Sequence, residues 1–495
     1  MRSILLLIYF TSCLSSFAQK QDRIWIFGDH GGIDFDDTSN VNSFYSVFNG
    51  SQIKSTCGSI SNNNGSLLFY AAADQFLTLG VDVFNRNGPI MLNGDKLQGH
   101  PAQTQGLVIM PYPSDTSKYY IFHKNQTSSK NFLYYSTVDM TLDGGLGGIT
   151  NKNTVVPCDS LTQRTTAVKH ANGRDWWLVQ QRWDQPEYIT FLITPDGIQG
   201  PYKYQVINPS PKLEIFGTSR FSRSGNKLVS VGTHGSVDLM DFNRCTGTIS
   251  NFERIGENIF SNENSYLGCE FSPNENVLYV ANSYPSPGKF VYQFDLTAPD
   301  IKASKQTLNM YPDTGLLQYV QYSHMLLGPD NKIYISKGNG SGINSNTIYT
   351  QSIDVILDPD VIGPGCNYRS NYLYLNGGRT TYGLPNMVNY NLGPVTGSIC
   401  DSLNTGISEN KEKSNPFIIS PNPVKHWINI YQRENFTNGK PIHATLFNLQ
   451  GKIVLEKEMN AYDYSIPVSD LSIGVYVLQL KTMKSVFSER VMKVE

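Results

Sequence analysis

Between about residue 50 and residue 360 one unit recurs at steps of roughly 50–56 residues. Each copy opens on a turn rich in Asn, Gly, Asp or Ser and runs into an apolar strand. The copies begin at Asn64-Gly65-Ser66-Leu67-Leu68, Thr116-Ser117-Lys118-Tyr119-Tyr120, Asn172-Gly173-Arg174-Asp175-Trp176, Ser224-Gly225-Asn226-Lys227-Leu228, Asn274-Glu275-Asn276-Val277-Leu278 and Asp330-Asn331-Lys332-Ile333-Tyr334. Three copies share a longer box: Phe221-Ser222-Arg223-Ser224-Gly225, Phe271-Ser272-Pro273-Asn274-Glu275 and Leu327-Gly328-Pro329-Asp330-Asn331. A period near 50, with about four strands per unit, is the size of a propeller blade.

Aromatic residues make up 12% of the chain, with 42 Gly and 25 Pro, which favours short strands and tight turns over helices. The flanks Ile24-Trp25-Ile26-Phe27-Gly28 and Thr381-Tyr382-Gly383-Leu384-Pro385-Asn386-Met387-Val388 are both strand-like. Pairing them would add one blade from the two ends and hide the edge strands. The reading is therefore all-β: a seven-bladed β-propeller over residues 19–400, with six or eight blades as alternatives. A formal net charge of -2 gives no basic footprint, so nucleic acid is not an expected partner.

Met1-Arg2, the apolar run Ile4 to Phe10 and Ser16-Phe17-Ala18 read as a secretory signal peptide over residues 1–18, cleaved near Ala18. Of the seven cysteines, Cys13 falls in that leader. The other six are Cys57, Cys158, Cys245, Cys269, Cys366 and Cys400. An even number in an exported chain suggests disulfides. Sequence proximity favours Cys366–Cys400 and Cys245–Cys269.

Residues 401–415 are polar and lack aromatics, as a linker does. From about 416 to 495, six or seven short strands return, among them Trp427-Ile428-Asn429-Ile430-Tyr431 and Val475-Tyr476-Val477-Leu478-Gln479-Leu480. That spacing suits a small Ig-like β-sandwich. Pro421-Asn422-Pro423, then Leu446-Phe447-Asn448-Leu449-Gln450-Gly451-Lys452, Gly474-Val475-Tyr476 and the closing Lys493-Val494 resemble the type A sorting domain of the type IX secretion system. The resemblance implies recognition by the outer-membrane translocon and its tail-processing machinery. It also implies export across both membranes, with the cargo anchored on surface lipopolysaccharide or released.

The front domain resembles propeller-like proteins of unassigned activity carried by the same route. The matching residues run from Ile24 to Phe35 and from Thr165 to Trp177, and include Gly383-Leu384-Pro385-Asn386. It has no Gly-x-Ser-x-Gly, His-Glu-x-x-His or Walker loop, so no residue is assigned as catalytic. His30, His100, His123, His170, His234 and His324 fall about one per blade but at non-equivalent positions, and no metal site is assigned. Asp34-Phe35-Asp36-Asp37 and Asp139 to Gly145 offer oxygen ligands for calcium without the spacing of a known calcium loop. Trp176, Trp177 and Trp183 form a candidate platform for a glycan or protein ligand.

These signals describe a secreted or surface binding and scaffold module. The alternative is a secreted enzyme degrading polysaccharide or peptide at the mouth of the propeller channel.

Overall fold

A computed structural model describes residues 20–495 except 49, 51, 75–79, 126–130, 159, 206–213, 258, 260, 262–263, 284–289, 309–319, 340–348, 402–416, 433–440, 449–450, 460–463 and 483–485. The leader and nearly all of the linker inferred above lie outside the described residues. The chain divides into two compact units, Met1–Thr396 and Gly397–Glu495.

The turn residues of the repeat have a shared conformational reason. Gly65, Gly173, Gly225, Glu275 and Asn331 all have φ between 62° and 90°, a region open to Gly and tolerated by Asn. In each case that residue's amide closes the turn onto the carbonyl three residues back: Asn62, His170, Ser222, Ser272 and Gly328. What recurs in the sequence is thus one tight turn joining the first two strands of a sheet.

Among the described residues, the first unit holds seven antiparallel sheets in chain order. They begin with Ile24–Phe27, Ile53–Ser61, Leu107–Tyr112, Leu161–Lys169, Gly217–Phe221, Tyr266–Phe271 and Val320–Leu327. The last five sheets have four strands and the first two have three. Each of these first strands lies against the first strand of the next sheet. Burial falls from inner to outer strand. Val277–Asn282 is buried along its whole length, whereas Thr248–Arg254 has no buried residue. Inner strands covered on both faces need continuous apolar runs, and this is what the sequence supplies at Val277-Leu278-Tyr279-Val280.

The first sheet meets the seventh. Ser43 Oγ donates to Tyr374 O at 2.6 Å. Asp29 and Arg379 exchange backbone hydrogen bonds of 2.9 and 2.8 Å. Trp25 packs edge-on to Tyr334 at 5.4 Å. The expected composite blade from both chain ends does not form. The first sheet is built by Ile24–Phe27, Gly31–Asp34 and Asn42–Tyr45, and residues 381–388 carry no strand.

The second unit has a three-stranded sheet and a four-stranded sheet, Ile453–Met459, Ile442–Asn448, Gly474–Lys481 and Val486–Lys493 in spatial order. The two sheets share one core, with Phe417, Ile428 and Ile466 from the first and Leu446, Leu478 and Val491 from the second.

Candidate functional site

Residues 380–395 run as a strap across the inner strands. Its path is fixed by single hydrogen bonds, with no ladder. Gly383 N donates to Lys54 O at 2.9 Å, and Asn386 N to Cys57 O at 2.9 Å. Leu384 N donates to His324 Nδ1 at 3.3 Å. Tyr390 OH donates to Ile109 O at 3.0 Å, and Val395 N to Ala171 O at 2.8 Å. A Cβ on Gly383 would lie 2.6 Å from Ser55 O, so the strap passes where only glycine fits.

Asn386 is the hub. Its Nδ2 donates to Leu107 O (2.8 Å) and Thr165 O (2.9 Å). Its Oδ1 accepts from Gln105 Nε2 (3.0 Å) and Arg220 Nη1 (3.1 Å). One buried amide therefore ties the third, fourth and fifth sheets together, while its backbone ties the second. Sequence reasoning singled out Gly383-Leu384-Pro385-Asn386 but gave it no role.

Where the strap leaves the inner strands, a cavity of ≈ 610 Å³ opens on the turn side of the sheets. Its wall includes Phe221-Ser222-Arg223, Phe271 and Leu327-Gly328-Pro329. These belong to the three copies of the longer sequence box. The preceding positions, Arg220, Glu270 and Leu326, line it too, as do Asp22, Arg23, Trp25 and Met387 to Asn389.

Two charges lie at its floor. Arg220 Nε is 3.7 Å from Glu270 Oε2, and both side chains are almost fully buried. Glu270 also accepts from Phe271 N (3.0 Å) and Leu327 N (3.1 Å). Burial pushes its carboxyl up to about 7, against the pull of Arg220. Burial also raises Asp22 to about 6.

The sequence-predicted platform does not form. Trp176 and Trp177 are 1% and 3% exposed. Trp176 packs against Tyr390 of the strap, with Lys169 Nζ over its ring. Trp177 Nε1 donates to Arg244 O at 2.8 Å. As strand neighbours they point to opposite faces, and both faces are core. Trp183, beyond the end of that strand, is half-buried.

The favoured disulfides do not form either. Cys269 and Cys366 carry free, buried thiols, while Cys245 and Cys400 are disulfide-bonded. Cys269 lies within the inner strand Tyr266–Phe271 and faces Thr218 on the neighbouring inner strand, whereas Cys245 lies in the turn after Val237–Asn243. The candidate calcium loops use their carboxylates locally. Asp34 pairs with Arg23 at 2.7 Å, Asp37 holds Ser39, and Asp139 holds Thr141. Among the described residues no group of three or more His, Cys, Asp or Glu could hold a metal, and the histidines do not converge. His123 and His324 are single buried residues, the first bonded to Gln98 O and Ser136 Oγ.

In the second unit the motif residues act on the chain's last strand. Asn422, between Pro421 and Pro423, donates from Nδ2 to Arg490 O (2.7 Å) and accepts from Met492 N (2.9 Å). Val494 N donates to Val424 O at 2.9 Å, and Lys493 Nζ to Val494 O at 2.7 Å. Gly451, at φ 77°, closes the turn onto Asn448 O. Gly474 starts the strand in which Tyr476 OH donates to Ser472 O at 2.8 Å.

Residues 419–494 match the family model of the secretion system C-terminal sorting domain. This segment is a type IX sorting tail. The match begins within the first described strand of this unit, Phe417–Ser420, and runs through its last strand, Val486–Lys493, to Val494. It directs the chain out of the cell by the type IX route.

No curated protein matches the chain in sequence. Solved structures similar to the part before the sorting domain include a quinoprotein alcohol dehydrogenase-like protein from Bacteroides thetaiotaomicron, at 10% identity and TM-score 0.38 over 73% of this chain and 76% of that one. The β-propeller domain of Cps50 (Swd1) from Myceliophteria thermophila aligns at 10% identity and TM-score 0.35, over 65% and 94%. A periplasmic gluconolactonase from Pseudomonas aeruginosa aligns at 9% identity and TM-score 0.34, over 78% and 93%.

Proposed function

We propose that this chain is an exported seven-bladed β-propeller that binds a ligand in the cavity at the turn-side mouth of its central channel. Its domains are a leader to residue 18, the propeller over 19–400, a linker to 415 and an Ig-like sandwich sorting domain from 416. The strap carries the reading. It crosses the inner strands, and Met387 to Asn389 and Asn391 to Gly393 line the cavity where it leaves them, which is where a ligand would sit. Seven successive sheets and the meeting of the first with the seventh support the blade number. Translocon components and the tail-processing machinery are its partners in export, after which the chain is anchored on surface lipopolysaccharide or released.

Binding of glycans and peptides by the secreted protein is the test. Saturable binding lost on filling the cavity with Asn391→Trp supports the reading; binding untouched by that change contradicts it.

One observation favours a second reading. Two carboxyls raised by burial, Glu270 to about 7 and Asp22 to about 6, line the same cavity. That is a prerequisite for acid–base hydrolysis of a polysaccharide or peptide. Turnover of such a polymer, abolished in Glu270→Gln, would establish the enzyme. Binding without turnover leaves the binder.

A further inference from the structure

The charged side chains of the cavity can be paired off. Arg23 binds Asp34 at 2.7 Å and Asp36 at 2.9 Å, with Lys20 3.8 Å from the same Asp36. Arg220 faces Glu270. Two charges of opposite sign remain on the lining, Asp22 and Arg223, and neither has an ion-pair partner among the described residues. Arg223 makes one neutral contact, Nη1 to Asn331 Oδ1 at 2.8 Å, and is exposed at the rim. Asp22 precedes the first inner strand and is half-buried, and its backbone carbonyl accepts Trp25 Nε1 at 2.9 Å. Phe221, Leu327 and Leu392 give the same cavity half-buried apolar wall.

An unpaired carboxylate in a partly desolvated wall favours a cation, and an unpaired guanidinium favours a carboxylate. A ligand carrying only one sign would leave the other charge uncompensated, and a neutral one would leave both. We propose that the cavity takes a short peptide with free ends, Asp22 receiving its ammonium, Arg223 its carboxylate, and the apolar wall an aliphatic side chain. This rests on the cavity being the binding site. A volume of ≈ 610 Å³ lies within the range of small-ligand sites.

The test titrates the full-length secreted protein calorimetrically with Ala-Leu-Ala, its N-acetylated form, its C-terminal amide and maltotriose. Thermal melts confirm that each variant is folded. Ala-Leu-Ala is expected to bind. N-acetylation or Asp22→Asn should weaken it about tenfold or more, and amidation or Arg223→Gln should do the same. Acetylated peptide should not respond to Asp22→Asn, nor the amide to Arg223→Gln. Peptide binding indifferent to both substitutions overturns the proposal. Maltotriose binding in place of peptide, lost in Asn391→Trp, overturns the ligand class and keeps the cavity as the site. Binding of neither probe, or binding unaffected by Asn391→Trp, overturns both.

Discussion

Asn386 joins three sheets through one side-chain amide with both donors and its acceptor occupied. Asn386→Ala removes those bonds and leaves Leu107 O, Thr165 O and Gln105 Nε2 buried without this partner. Orphaned buried groups cost about 1–3 kcal/mol each. Urea unfolding of the variant should therefore show a loss of about 3 kcal/mol or more, whereas unchanged stability would remove its role as hub. His123 gives a pH signature. Burial holds its imidazole down to about 4, from an ordinary value of 6.5. The folded state then binds fewer protons than the unfolded one between those values. Its contribution is full above pH 6.5 and is lost as pH falls toward 4. Asp22 and Glu270, shifted upward, act in the opposite sense, so the comparison must be between variants. Between pH 7 and 5, His123→Gln should lose less stability than the parent, by about 2 kcal/mol. Equal losses would place His123 outside the pH response.

At the scale of the element, the sheets were legible and the strap was not. Each sheet's opening turn needs Gly or Asn at a left-handed position, and that need is written locally at Gly65, Gly173, Gly225 and Asn331. The strap has no ladder and no alternation, and its partners are carbonyls up to about 330 residues away, as with Thr381 and Lys54. Its one local mark is Gly383, whose missing Cβ lets it pass Ser55. Gly383→Ala should cost about 1–3 kcal/mol through that clash, read as a lowered thermal midpoint. An unchanged midpoint would show that the strap can shift. The cysteines and tryptophans misled for a related reason. Proximity in sequence did not bring Cys245 to Cys269, and a strand buried on both faces hides both Trp176 and Trp177. Of the candidate site, the sequence displayed the boxes at Phe221, Phe271 and Leu327. Nothing in it showed that Asp22 would join them, because that convergence needs the first sheet to meet the others.

For the whole molecule, the two compact units have separate tasks: the sorting domain sets the route of export, and the first unit, with its seven sheets, carries the proposed binding cavity. Asn422 and Val424 hold the last strand of the sorting domain from its first turn, so its two ends are one structure. Where the chain goes when that domain is removed tests its role most directly. Cells producing a chain lacking residues 416–495 should retain it in the periplasm, with the β-rich circular dichroism and protease resistance of a folded propeller, while the full chain reaches the surface or the medium. Surface delivery of the truncated chain at the level of the full one would contradict the account.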